Sequence, residues 1–348
     1  MKQLRHETRA ARIAFVDPCS AAGYDLCDLE TGGLGGTEAT ILRVTAALRA
    51  QFEITHYQRG RIHRHLSRVG CLRPLAELRI APQHDAIIVI NRWKVALKLR
   101  KQHPDVPIFL WLHVYPGRHN RKMGAALKAV DISVICVSGT HARELGAFLG
   151  VNDTPRLRVI YNPLSEDLCP DETARDPRRL LFASSPHKGL TEVFHQFSVL
   201  RQSLPDLTLA VADPGYLRWN IGSVPDGVYF IGSLSHSALI RQMRRALCLF
   251  YPQTSFAETF GLVLAEANAV GTPVLVHAGL GANDEIVGYA DQKVDGRDPE
   301  QIRARIMAWR RALPVVTANP DFRIHKVAQE WAELLQYATM VRSHAGSE

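Results

Sequence analysis

No stretch of about 18 consecutive apolar residues occurs anywhere in the sequence. The opening segment, MKQLRHETRAARIAFVDP, stays polar and charged up to Ile13. Neither a signal peptide nor a membrane span is expected, and a cytoplasmic location is the reading that follows. Cysteine is sparse: Cys19, Cys27, Cys71, Cys136, Cys169 and Cys248 lie far apart with no C-x-x-C pair, and Cys136 and Cys248 sit in apolar runs. That excludes a disulfide or zinc framework and points to reduced thiols. There is no repeat of solenoid period and no low-complexity tract. The phosphate-binding signatures G-x-G-x-x-G after a strand and G-x-x-x-x-G-K-[ST] are both missing.

What is present is the composition of a globular protein. With 46% hydrophobic and 22% charged residues, disorder is not the default, and 348 residues exceed what one core usually holds, so two domains are expected. The apolar runs RIAFV (12–16), FEITHY (52–57), AIIVI (86–90), PIFLWLH (107–113) and ISVICVS (132–138) alternate with segments of helical period. A second series follows: RLLFAS (179–184), LTLAVA (207–212), CLFYP (248–252) and PVLVH (273–277). Strands this apolar, separated by helices, predict buried parallel sheets built from βαβ units. Between the series lies YNPLSEDLCPDETARDPRR (161–179), rich in Pro and Asp and without apolar periodicity.

The expected organisation is therefore α/β, with two doubly wound Rossmann-like domains at 12–164 and 179–320 joined by a linker at 165–178. A final amphipathic helix over 321–342, with Ile324, Val327, Trp331, Leu334, Leu335 and Ala338 on one face, is expected to cross back to the first domain. Ligands in such sheets bind beyond the carboxyl ends of the strands, so the interdomain cleft is the expected active site.

The net charge of +8 comes from 42 basic and 34 acidic residues and is densest at residues 56–74. Arg59, Arg61, Arg64, Arg68 and Arg73 there form either a solvated surface or an anion-binding face. In TGGLGGTEATILRVTAALRA, glycines 32, 33, 35 and 36 precede a helical pattern, and free backbone N–H groups at such a start can hold an anion. The segment SFAETFGLVLAEANAVGTPVLV (255–276) is more specific. Its helical pattern begins near Phe260, so Phe260, Gly261 and Leu262 present N–H groups to a phosphate. Glu266, read as two turns into that helix, would lie roughly 6–9 Å from the phosphate, a distance suited to a carboxylate accepting both hydroxyls of a ribose. Glu258, on the other side of a diphosphate, would meet whatever the diphosphate carries. The alternative is a loop charge and a solvated helix residue.

On these residues the chain resembles the retaining GT-B glycosyltransferases of family four. The signature reads E258-TFGLVLA-E266-ANAVGTPVLV. GGLGGTE (32–38), WLHVYPG (111–117), ICVSGTHARELGAFLG followed by RLRVIYNPL (135–164), FASSPHKGLTEVFHQFSVL (182–200) and GLGANDEIVG (279–288) fall into register with it. The resemblance implies a GT-B architecture with the two domains facing a central cleft. It implies that Glu266 binds the ribose and that Glu258 contacts donor-sugar hydroxyls. The backbone at Phe260, Gly261 and Leu262 would meet the diphosphate and sugar, Lys188 would neutralise the diphosphate, and His113 would contact the donor sugar near the reaction centre. Gly35 and Gly36 would border the phosphates from the opposite domain. Without the resemblance, His113, at the end of an apolar strand, reads rather as a core histidine with a satisfied hydrogen bond.

One departure stands out. The family usually carries an Arg shortly before the Lys, and here those positions read Ala183, Ser184, Ser185, Pro186 and His187. Ser184 and Ser185 could donate hydrogen bonds but no charge, and a second cation would come from Arg178, Arg179 or elsewhere. No Asp-x-Asp is present, so no metal or cofactor is expected. Lys188 and the helix start would stabilise a leaving nucleoside diphosphate, UDP being favoured over GDP. Acceptor contacts are assigned to Arg59, Arg61, Arg64 and Arg118 on the first domain. They suit a glycan or lipid-linked anionic acceptor, as in lipopolysaccharide or other cell-surface polysaccharide synthesis, or the surface of an anionic membrane. A non-catalytic sugar-nucleotide-binding relative, a sugar-nucleotide epimerase and a nucleic-acid-binding protein are the competing readings, the last resting on charge alone and disfavoured by the lack of interleaved aromatics.

Overall fold

The computed structural model of the chain describes residues 9–32, 34–80, 83–215 and 222–345; Gly33 of the glycine-rich segment lies outside them. The first sheet contains β1 (Arg12–Asp17), β2 (Glu53–Gln58), β3 (His65–Ser67), β4 (Gly70–Pro74), β5 (Ala86–Ile90), β6 (Ile108–Leu112), β7 (Ser133–Cys136) and β8 (Leu157–Val159). Its order is β3-β4-β2-β1-β5-β6-β7-β8. The second contains β9 (Asp176–Ala183), β10 (Thr208–Ala212), β11 (Val228–Phe230), β12 (Ala246–Tyr251), β13 (Val274–His277) and β14 (Lys293–Val294), in the order β11-β10-β9-β12-β13-β14. Among the described residues all pairings are parallel except the β3–β4 hairpin.

Period-two alternation explains why the strands read as continuous apolar runs. In the first sheet Ile13, Phe15, Ile88, Ile90 and Trp111 face one core, whereas Ala14, Val16, Ile87, Val89 and Leu110 face another on the opposite side. The first core continues through Leu164, Phe322 and Trp331 into the second domain. The closing helix, Ile324–Ala345, lies on the helix Gly36–Leu48. Trp331 meets Trp111 edge-on at 4.6 Å, and Arg342 Nη1 donates to the His84 carbonyl at 2.7 Å. Among the described residues no helix is long and apolar enough to cross a membrane.

One local reading is revised. The second sheet begins at Asp176, inside the segment expected to be linker, because DPRRLLFA is one continuous strand whose polar first half is exposed. The basic stretch is a folded hairpin and its approach, since His65–Ser67 and Gly70–Pro74 pair antiparallel across Arg68 and Val69.

The strand orders reverse between β1 and β5 and again between β9 and β12. In open α/β sheets the crevice at such a reversal is where ligands bind. The loops leaving β1, β6, β9 and β12 carry Gly36, His113, Lys188 and Glu258 respectively.

Candidate active site

The short helix Leu262–Ala269 follows β12 and starts at Gly261, which adopts a left-handed φ of 83°. A Cβ there would lie 2.8 Å from Leu264 Cδ1, so the turn needs glycine for its conformation and for its close fit. No side chain caps this start. Its first N–H groups and the positive end of the helix dipole are therefore available to an anion. Phe260 is core, packed on Tyr161 and Phe322, so it can contribute only its backbone. Because the helix begins at Leu262, Glu266 sits one turn in and not two.

Glu266 is 4% exposed. Its Oε1 takes the Nε2 of His236 at 2.9 Å and, from the other domain, Nη2 of Arg43 at 3.1 Å. Burial works to raise its pKa, but His236 and Arg43 outweigh that and hold the carboxyl below its ordinary value. It is an ionised, buried carboxylate. The solvated-helix reading does not hold.

Glu258 lies in the loop before the helix, also buried, and chelates Lys188: Nζ reaches its two oxygens at 2.9 and 3.1 Å, while the Tyr251 hydroxyl donates to Oε1 at 3.0 Å. Lys188 also lies 4.8 Å from the centre of the Phe256 ring. Its position is set by the turn after β9, where its N–H donates to the Ser185 carbonyl at 3.0 Å. The next residue, Gly189, is left-handed, with Gln253 Cβ 2.4 Å from where a Cβ would stand. Ser185 is buried and hydrogen-bonded to His187, whereas Ser184 is half-buried. Behind Glu258, Gly281 comes so close that a Cβ would be 2.5 Å from the Glu258 carbonyl, which accepts from Ala282 N–H at 2.9 Å.

His113 directly follows β6, with its ring 4.7 Å from that of Trp111. Burial, with His141 nearby, pushes its pKa down to about 3, so it is a neutral imidazole throughout the physiological range. Its Nε2 is buried and has no partner among the described residues. The backbone is anchored at both ends of the residue. Its N–H donates to Asn91 Oδ1 at 2.7 Å, with Asn91 in the left-handed region at φ 56°, and its carbonyl accepts from Thr259 Oγ1 at 2.8 Å. The Thr259 carbonyl in turn accepts from Ser138 Oγ at 2.7 Å. His113 of one domain is thus tied directly to the residue after Glu258 of the other. Nearby, Glu285 caps the helix Gly139–Leu149 across the cleft, accepting from Gly139 and Thr140 N–H at 2.8 and 2.7 Å and from the Tyr161 hydroxyl at 3.0 Å.

Gly35 caps the helix Gly36–Leu48, and a Cβ on Gly35 would meet Glu38 Oε2 at 2.4 Å. At Gly36 a Cβ would meet nothing within 4 Å, so this residue borders open space at the helix start. Gly32 of the same loop approaches the second domain, with the Leu234 carbonyl 2.9 Å from its would-be Cβ.

Other assignments do not converge. Arg178 and Arg179 stand at the amino half of β9, about 17–20 Å by strand rise from Ser184. Arg178 pairs with Asp176, and Arg179 bonds Gln242 and lies over Tyr229. Neither can supply a second cation beside Lys188. Among the acceptor candidates, Arg61 is spent on Gln58 and the Tyr24 carbonyl, and Arg64 on Glu77; Arg59 and Arg118 are exposed. Arg43, His236, Asn91 and Tyr251 were not foreseen. For Arg43 a signal existed: it is the lone basic residue of the helix Gly36–Leu48, whose only other charged residue is Glu38.

The chain is similar to known proteins in sequence and in fold. Residues 178–311 match the family described as glycosyl transferases group 1. Over 209 residues the chain is 30% identical to glycogen synthase of Mycobacterium tuberculosis, covering 53% of this chain and 50% of the relative. The chain thus spans about half the length of the curated relatives it matches. Solved structures share the fold over nearly the full length. Anabaena HepE in complex with UDP and glucose aligns with a TM-score of 0.67 at 16% identity, covering 94% of this chain and 100% of that one. A UDP-forming trehalose-phosphate synthase of Burkholderia vietnamiensis aligns with a TM-score of 0.67 at 12% identity, covering 95% and 100%. The architecture is GT-B.

Proposed function

We propose that this chain, whose residues 178–311 match glycosyl transferases group 1, moves a sugar from a nucleoside-diphosphate sugar to an acceptor hydroxyl with retention of configuration and without a metal. The observation that carries the reading is the bracket around Gly261. Two buried carboxylates, Glu258 and Glu266, flank an uncapped helix start, and Lys188 and the unpartnered Nε2 of His113 belong to the loops that meet it. UDP is the preferred nucleotide, a choice supported by neighbours solved with UDP.

In this reading the diphosphate sits on the helix start, the ribose at Glu266 and the sugar between Glu258 and His113. The bond from the anomeric carbon to the phosphate oxygen breaks while the acceptor oxygen bonds that carbon from the same face. The acceptor's proton passes to the departing phosphate. Charge developing on the leaving group is met by fixed donors, Lys188 and the helix dipole, which need no reorganisation in the transition state. Lys188 must turn from Glu258 toward the phosphates when donor enters, leaving Glu258 free to accept from sugar hydroxyls. The exposed Arg59 and Arg118 favour an anionic glycan or lipid-linked acceptor, brought to an anionic membrane surface or met in the cytoplasm.

A thermal-shift screen against UDP-, GDP-, ADP- and dTDP-sugars, with and without EDTA, tests the proposal. Ligand at 100 times its Kd stabilises by about 2.7 kcal/mol. A shift that survives EDTA is expected for one base. No shift with any of the four would turn the reading toward a non-catalytic relative, for which the missing Arg before Lys188 already speaks.

A further inference from the structure

The helix Gly36–Leu48 places Arg43 against Glu266, with Nη2 3.1 Å from Oε1 and 2.9 Å from His236 Nε2. The side chain is 10% exposed, and its other terminal nitrogen, Nη1, is buried without a partner among the described residues. A buried guanidinium nitrogen left unbonded is costly, so its presence at a ligand cleft points to a bond made when ligand is bound. Side chains on a helix lean toward its amino end, which here is the Gly35–Gly36 turn that borders open space. A ribose held by Glu266 carries its first phosphate one short linkage away. The planar fork of an arginine can hold a carboxylate with one nitrogen and a phosphate with the other.

We propose that Arg43 is a donor-binding residue supplied by the opposite domain: Nη2 holds Glu266 in place while Nη1 hydrogen-bonds the phosphate nearest the ribose. It provides the second cation that positions 183–187 lack and that Arg178 and Arg179 cannot provide. Donor binding and domain closure are thereby coupled through one side chain. The inference rests on the donor reading above.

The test is calorimetric titration of wild type, Arg43→Met and Arg43→Lys with UDP, UMP and uridine, or with the corresponding series for whichever base binds the wild type. Arg43→Met is expected to raise Kd about tenfold to hundredfold for the diphosphate and the monophosphate, as loss of a charged hydrogen bond implies. Affinity for the nucleoside should fall clearly less, since uridine loses only the anchoring of Glu266 and has no phosphate contact to lose. Arg43→Lys, which keeps the charge but loses the fork, should fall between. Equal losses for all three ligands would assign Arg43 to the ribose carboxylate alone and overturn the phosphate contact. Unchanged affinity for UDP would overturn the inference altogether. If Arg43→Met does not fold, the lysine variant carries the same comparison. Wild type that binds no nucleotide would refute the donor reading itself, a result distinct from either.

Discussion

Glu285→Ala is the substitution whose consequences follow most directly from the geometry. The carboxylate binds two backbone N–H groups at the start of the helix Gly139–Leu149 and the Tyr161 hydroxyl, and so fastens the second domain to the first. A capping side chain is worth about 0.5–2 kcal/mol, and hydrogen bonds to a charged acceptor about 1.5–3 kcal/mol. Glu285 is only half-buried and the freed N–H groups can be rehydrated, so the sum must be discounted for screening to roughly 2 kcal/mol. Burial works to raise its pKa, but the Thr140 and Gly139 N–H groups outweigh it and hold the carboxyl below the ordinary value. With a folded pKa below the unfolded one, the contribution is fully present above the unfolded value, near 4.3, and is lost as pH falls through the folded value. Urea denaturation of wild type and variant should therefore differ at pH 7 and converge as the pH is lowered past 4. A gap of the same size at both ends, or none at pH 7, would refute the argument that this carboxylate caps the helix as an anion.

Acidification should destabilise the amino-terminal domain well before carboxylates titrate. Burial pushes His56, His84 and His141 down to about 4 and His113 to about 3, against roughly 6.5 unfolded, so the unfolded chain binds more protons below that value. The urea midpoint should fall steadily from pH 7 to 5, and a flat profile would show that these rings are not buried neutral. Glu258→Ala should retain affinity for the nucleoside diphosphate, because Lys188 loses its competing carboxylate, yet lose sugar transfer by at least about 100-fold, the scale of a single electrostatic contact at the reaction centre. Wild-type turnover in that variant would sink the assignment. Gly281→Ala, which strains a φ of 53° and drives a Cβ onto the Glu258 carbonyl, should lower kcat more than nucleotide affinity; equal kinetics to wild type would show that the loop yields without moving Glu258.

Much was legible in the sequence because it is local. Alternating apolar runs such as RIAFV and CLFYP declare buried parallel strands wherever they fold. A glycine followed by a helical pattern, as at Gly261 or Gly36, declares a helix start with open N–H groups. The place of Glu266 past such a start follows from helical rise, although the start itself lies later than the pattern suggested. The final helix showed its apolar stripe for the same reason.

Tertiary structure decided what pairs with what. Nothing in the chain order says that Glu266 meets Arg43, that Lys188 is held by Glu258, or that Glu285 caps a helix of the other domain, since each contact joins residues far apart in sequence. Charge counting could not sort the arginines for that reason: Arg61, Arg64 and Arg179 bond to neighbours that only the packed sheets bring near. Sequence specifies backbone periodicity and the chemical groups available. Which of those groups remain free to act depends on the partners that folding places beside them.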